Sequence, residues 1–209
     1  GRMLEIGCAT GNFLARMAAR GWQVRGVEFV EGAAAKARAR GFEVSSGRIE
    51  DQMLGTGNFD LVVAWMVVEH LYEPVVALTK LREAARPGAW LAISVPDAGN
   101  WGMKAFGDNW YAVGVPVHLF HYTRQTITAV LAKAGWTVER IYSQRILTEY
   151  VASITNAAND RYPNSAAVSR MRRWSHNPTL PTNLALYPAA LLMAACGQTG
   201  RMTVLARAT

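Results

Sequence analysis

Residues 3–12, Met3-Leu4-Glu5-Ile6-Gly7-Cys8-Ala9-Thr10-Gly11-Asn12, join an apolar run, an acid and two glycines. An apolar strand that ends in a glycine turn and enters a helix gathers backbone N–H groups where a ligand can be held by the main chain. Gly7 is expected to remove a side chain where the backbone approaches that ligand. Gly11 is expected to let the next helix, Phe13 to Arg20, start close behind the strand. A second short strand, Gln23-Val24-Arg25-Gly26-Val27, ends on Glu28. A carboxylate there can accept hydrogen bonds from both hydroxyls of a ribose. Glu31 is better placed to cap the following helix, Gly32 to Arg40, and favour its dipole. His70, His118 and His121 are the candidates for a group that moves a proton, because histidine is the side chain suited to that role near neutral pH. Of these His118 stands out, because Trp101, Trp110, Tyr111, Phe120 and Tyr122 surround it in sequence. Those aromatics suit a pocket wall or a core equally.

The elements that must carry these residues alternate strand and helix, which implies a mostly parallel sheet covered by helices on both faces. Strands are expected at Met3–Ile6, Val24–Val27, Phe42–Ser45, Leu61–Ala64, Leu91–Val95, Thr137–Tyr142 and Met202–Ala206. Thr126 to Ala134 reads as a helix, with Ile127, Val130 and Leu131 on one face. Helical patterns recur near Glu149–Asn159, Ser165–Trp174 and Leu184–Ala195. A connection this long is expected to be ordered rather than a bare loop.

The 209 residues suit one domain, and the apolar half of the chain is enough for a sizeable core. Cys8 and Cys196 lie too far apart in sequence to suggest a disulfide framework or a metal cluster. No secretory signal leads the chain, and its longest apolar stretch, Leu184 to Cys196, is short for a bilayer and contains Pro188. A cytoplasmic protein with no membrane span is the resulting expectation. The net charge of +7 comes from arginines scattered along helices, without the basic and aromatic interleaving of a nucleic-acid groove. No nucleic-acid partner is therefore expected; an acidic substrate is compatible.

The turn reads Gly-x-x-x-Gly rather than the Gly-x-Gly-x-x-Gly of dinucleotide enzymes. It resembles motif I of the class I S-adenosylmethionine-dependent methyltransferases, with Ala9 where a middle glycine stands. The resemblance continues through Phe59-Asp60-Leu61-Val62-Val63-Ala64-Trp65, Val68-Glu69-His70-Leu71 with Pro74, and Pro87-Gly88 before the fifth strand. Val115-Pro116-Val117-His118-Leu119-Phe120-His121-Tyr122-Thr123 is similar to a stretch of the branch that includes the ubiquinone-type O-methyltransferases.

The resemblance implies a Rossmann-like, doubly wound α/β fold of seven strands in the order three-two-one-four-five-seven-six, strand seven antiparallel. It also implies a helical insertion or lid between strands six and seven, from about Arg145 to Gly200, emerging at the ligand-binding edge. Relatives carry helical residues before the first strand, so an N-terminally shortened domain is expected. The implied cofactor is S-adenosyl-L-methionine. Glu5, Gly7, Cys8, Ala9 and Gly11 would hold its methionyl part, and Glu28, with Phe29 beside it, the ribose. Ile49 with Glu50 or Asp51 would meet the adenine, and Trp65 and Met66 would lie near the sulfonium. Trp110, Tyr111, His118 and Tyr122 would face a small-molecule acceptor, with His118 the candidate base. The metal-binding acids of the ubiquinone branch are incomplete here, because Met66 replaces the first, so no metal is expected. A non-catalytic cofactor-binding subunit and a nicotinamide-dependent oxidoreductase are the alternatives. The activity that the resemblance implies is methyl transfer to a small-molecule acceptor, with O-methylation favoured over N- or C-methylation.

Overall fold

The computed structural model describes residues 1–176 and 179–209, the side chains of residues 176 and 182 excepted. Strands β1 (Arg2–Ile6), β2 (Gln23–Glu28), β3 (Glu43–Ser46), β4 (Phe59–Trp65), β5 (Ala85–Pro96), β6 (Trp136–Ser143) and β7 (Arg201–Ala208) form one sheet. Its order is β3-β2-β1-β4-β5-β7-β6, with β7 antiparallel, as expected. The helices are α1 (Asn12–Ala18), α2 (Glu31–Ala39), α3 (Pro74–Ala84), α4 (Trp101–Phe106), α5 (Arg124–Lys133), α6 (Thr148–Arg161), α7 (Ala166–His176) and α8 (Leu180–Ala195). Among the described residues no helix is long and apolar enough to cross a membrane.

The chain divides into two compact units. The first comprises Gly1–Val95, Gln125–Ile141 and Val204–Thr209; the second comprises Pro96–Arg124 and Tyr142–Thr203.

In the first unit β1 is central, parallel to β2 on one side and to β4 on the other, with Glu5 opposite both Gly26 and Val63. Four of its five residues are buried, which is why the strand reads as an apolar run instead of alternating. Met3, Leu14, Ala34, Ala37, Val44 and Val63 form a core against which Phe13, Phe42 and Trp65 pack. The helix α3 opens with Pro74 in its first turn, where the missing N–H costs nothing. Trp136 of β6 is buried and its indole N–H donates to the Leu78 carbonyl at 3.0 Å.

Strand β5 begins six residues before the expected Leu91. Ala85 pairs with Phe59, the register then shifts, and Trp90 lies opposite Leu61. The Pro87-Gly88 pair, with Gly88 at φ +74, accommodates the irregularity inside the strand.

In the second unit the segment after β5 folds into α4, a helix that shows no pattern in the sequence. Asn100 caps it, its side chain accepting from the Met103 N–H at 3.3 Å. Trp110, Ala112, Leu147, Tyr150 and Ala190 form the unit's own apolar cluster. Helix α8 starts four residues before its expected first residue, with a proline in its first turn, and carries Pro188 internally.

Candidate cofactor site

The carboxyl ends of β1 and β2 meet at one carboxylate. Glu28 is buried, and its Oε2 accepts the Ala9 N–H at 2.8 Å while its Oε1 accepts the Val30 N–H at 2.9 Å. Its backbone carbonyl accepts the Gly47 N–H at 3.1 Å, which brings the turn after β3 beside it. The turn after β1 is fixed further by Gly7 N–H and Cys8 N–H, both donating to the Val27 carbonyl at 2.8 and 3.3 Å. Gly7 and Gly11 adopt φ +69 and +79, and Ala9 between them φ +46. An alanine in that left-handed region is strained relative to glycine.

Both glycines also have a packing reason, one that no local sequence pattern carries. A Cβ on Gly7 would lie 2.5 Å from Val67 Cγ2, and one on Gly11 would lie 3.0 Å from the Phe42 ring and 3.2 Å from Ala37 Cβ. Protein side chains therefore demand the glycine at position 7. The expected role of Glu31 also changes: Val30 is the N-cap of α2, and Glu31 stands in the first turn, paired with Arg38.

Glu5 lies behind this turn and is 3% exposed. Burial raises its pKa most; the Leu14 backbone N–H lowers it, and the charge of Glu28 raises it again, bringing it to about 7. Its Oε2 is buried without a hydrogen-bond partner among the described residues. Cys8 is buried beside both acids, and burial together with their charges pushes its thiol up to about 12, so it is an inert packing group.

Strand β4 ends at Trp65, whose ring meets Phe13 edge to face at 5.4 Å. Met66 follows at φ +57, its N–H donating to the carbonyl of Ser94 at 2.9 Å and near the Ser94 hydroxyl at 3.2 Å. Ser94, inside an apolar strand, has no signal in the sequence that marks it for this contact. The turn after β3 places Ile49 in the core, leaves Asp51 exposed and pairs Glu50 with Arg48 at 3.5 Å; Lys80 of α3 donates to the Glu50 carbonyl. Phe29 is 71% exposed.

The expected acceptor-side residues belong to the second unit. Trp110 is buried, stacked on Phe106 at 6.0 Å and edge-on to Tyr150 at 4.8 Å. Tyr122 is buried and stacks on Phe120 at 6.0 Å. Tyr111 is exposed, its N–H donating to Ser153 Oγ at 2.8 Å. His118 Nδ1 lies 2.8 Å from the Ala112 carbonyl. A carbonyl only accepts, so Nδ1 is the donor in this contact.

A raised carboxyl pKa makes stability depend on pH. The folded chain keeps the Glu5 proton up to about pH 7, whereas the unfolded chain releases it near 4.5. The folded state therefore binds more protons between those values, and stability falls as pH rises through that window. The loss is about 3 kcal/mol at roughly 1.4 kcal/mol per pH unit. Glu5→Gln should remove this part of the slope in urea unfolding measured across the window; a variant with the parent's pH dependence would refute the assignment.

A family model described as a methyltransferase domain matches residues 1–141. The ubiquinone biosynthesis O-methyltransferase of Bordetella bronchiseptica is 30% identical over 100 residues, covering 44% of this chain and 42% of that protein. The chain thus spans less than half the length of that relative. Among solved structures, the Haemonchus contortus phosphoethanolamine N-methyltransferase 2 in complex with S-adenosyl-L-methionine aligns at TM-score 0.63 with 14% identity, covering 100% of this chain and 48% of that one. The cyclase SpnF aligns at TM-score 0.64 with 18% identity, covering 99% and 73%. Those two likenesses concern the fold alone. With the family model spanning most of its length, the chain belongs to the class I S-adenosylmethionine-dependent methyltransferases, whose cofactor is S-adenosyl-L-methionine.

Proposed function

We propose that the chain transfers the methyl group of S-adenosylmethionine to a small-molecule acceptor, with a hydroxyl oxygen receiving it. One observation carries the reading of the donor site: two buried acids, Glu5 and Glu28, stand at the Gly7–Gly11 turn. An acidic site attracts a ligand that bears an ammonium and a sulfonium, and opposes the pyrophosphate of a dinucleotide. The residues fit such a ligand. Glu5 Oε2 is buried without a partner among the described residues. Each Glu28 oxygen accepts one N–H from the chain and keeps lone-pair capacity for a ribose hydroxyl.

On this reading Glu5, with the main chain of Gly7, Cys8, Ala9 and Gly11, holds the methionyl part. Glu28 takes the ribose, with the Phe29 ring at its side. Ile49 with Glu50 or Asp51 meets the adenine, and Trp65 and Met66 border the sulfonium. The bound cofactor supplies an already activated methyl for in-line displacement. The chain's own task is to align the acceptor and exclude water. His118 takes the acceptor proton on Nε2, a role supported by the Ala112 carbonyl fixing the proton on Nδ1. Tyr111, exposed on its turn, offers a ring to the acceptor, while Trp110 and Tyr122 are buried in the same unit.

Three outcomes test the assignment. Glu28→Ala should weaken S-adenosylhomocysteine binding by about 1.5–3 kcal/mol in calorimetry, the scale of hydrogen bonds to a charged acceptor. NADH should not bind, and unchanged affinity in a folded variant would remove Glu28 from the site. His118→Ala should lower the rate by roughly 10²–10⁴ with cofactor affinity intact if the acceptor is a hydroxyl; a small loss would point to an acceptor nitrogen that needs no base. Activity should survive EDTA, because Met66 leaves the acid set incomplete. Inactivation by EDTA with recovery in magnesium would instead make Glu69 and His70 metal ligands.

A further inference from the structure

Helix α8 is apolar on two faces. Its inward row, Leu186, Ala190 and Met193, follows helical spacing; Leu186 is half-buried, and Ala190 and Met193 join the aromatic cluster of the second unit. A second row at the same spacing, Leu180, Leu184, Tyr187 and Leu191, lies on the solvent side with Leu192 beside it. Leu180 and Leu192 are each 72% exposed and Leu184 62%. A helix packed by one face normally presents polar residues on the other. A continuous row of leucines in water marks a surface that meets something apolar.

One cation stands at this row and three more precede it in sequence. Arg145 Nη1 donates to the Tyr187 hydroxyl at 3.2 Å, which sets a guanidinium at its middle. Helix α7, immediately before it, exposes Arg170, Arg172, Arg173 and Trp174 while burying Val168 and Ser175. From Ser165 to Cys196 the sequence has these three arginines and no acid.

We propose that α8, with the arginines of α7 and Arg145, docks the chain onto the surface of an anionic lipid bilayer. Leucines of such a helix enter the boundary between headgroups and acyl chains, and arginines meet lipid phosphates. This is adsorption and not spanning, consistent with a helix of 16 residues. A second copy of the chain fits less well, because twofold pairing through the row would bring two Arg145 side chains together. A nucleic acid would satisfy the arginines and leave the leucines in water.

The test is co-sedimentation of the 209-residue chain with sucrose-loaded vesicles of mixed phosphatidylglycerol and phosphatidylcholine, beside vesicles of phosphatidylcholine alone. The chain should pellet with the anionic vesicles and be released by high salt. Leu184→Glu with Leu192→Glu should lower the bound fraction constant at least about tenfold. Arg172→Gln with Arg173→Gln, which leaves both apolar faces intact, should lower it roughly fivefold per arginine. Circular dichroism melts establish that each variant is folded; if the leucine variant is not, the arginine variant decides. The proposal is overturned by absence of pelleting with anionic vesicles, by equal pelleting with both compositions, or by folded variants that bind like the parent. A dimer in sedimentation velocity that the leucine variant converts to monomer would also overturn it.

Discussion

The carboxyl edge of the sheet depends on one residue that ties three turns together. The Glu28 carboxylate takes the N–H of Ala9 after β1 and of Val30 after β2, while its carbonyl takes the N–H of Gly47 after β3. Hydrogen bonds to a charged, buried acceptor are among the stronger ones a protein makes. The same group that would read a ribose thus holds in place the backbone that would hold the rest of the ligand. Glu5, one strand over, adds a second acid to a site whose shape is already set by the first.

Much of the fold is legible in the sequence because parallel strands buried on both faces leave apolar runs that alternation does not disguise. The apolar runs fall short of the strands by one or two residues at most ends, where ladder pairing continues into polar residues such as Arg2, Gln23 and Glu28. The beginning of β5 is hidden for a different reason: Pro87 and Gly88 signal a turn, and the strand runs through them by shifting register against β4. Helix α4 leaves no period because six residues hold too few apolar positions to show one, and its visible mark is the Asn100 cap.

The candidate site is legible in residue type and less so in cause. Gly7 reads as a place where a ligand comes close, whereas Val67, sixty residues on, already requires it. Trp110 stands out in sequence as an aromatic near His118, but its neighbours Phe106 and Tyr150 make it part of a core whose other half is forty residues away. Long-range partners of this kind leave no local trace. A cyclase aligns with the chain as well as a methyltransferase does, so strand order alone does not decide the chemistry.

Ala9 and Met66 occupy left-handed backbone that glycine would enter without strain. A side chain at such a position disfavours the left-handed conformation, so the contacts around each turn, and not its own backbone preference, hold the native shape. Both turns at the candidate site are therefore shaped before any ligand arrives. Ordering entropy falls on folding instead of on association, and a ligand that enters meets a mould and not a loop that must still close. A glycine in either place would relax the backbone of the free protein and, for the same reason, make the site a softer and less discriminating one.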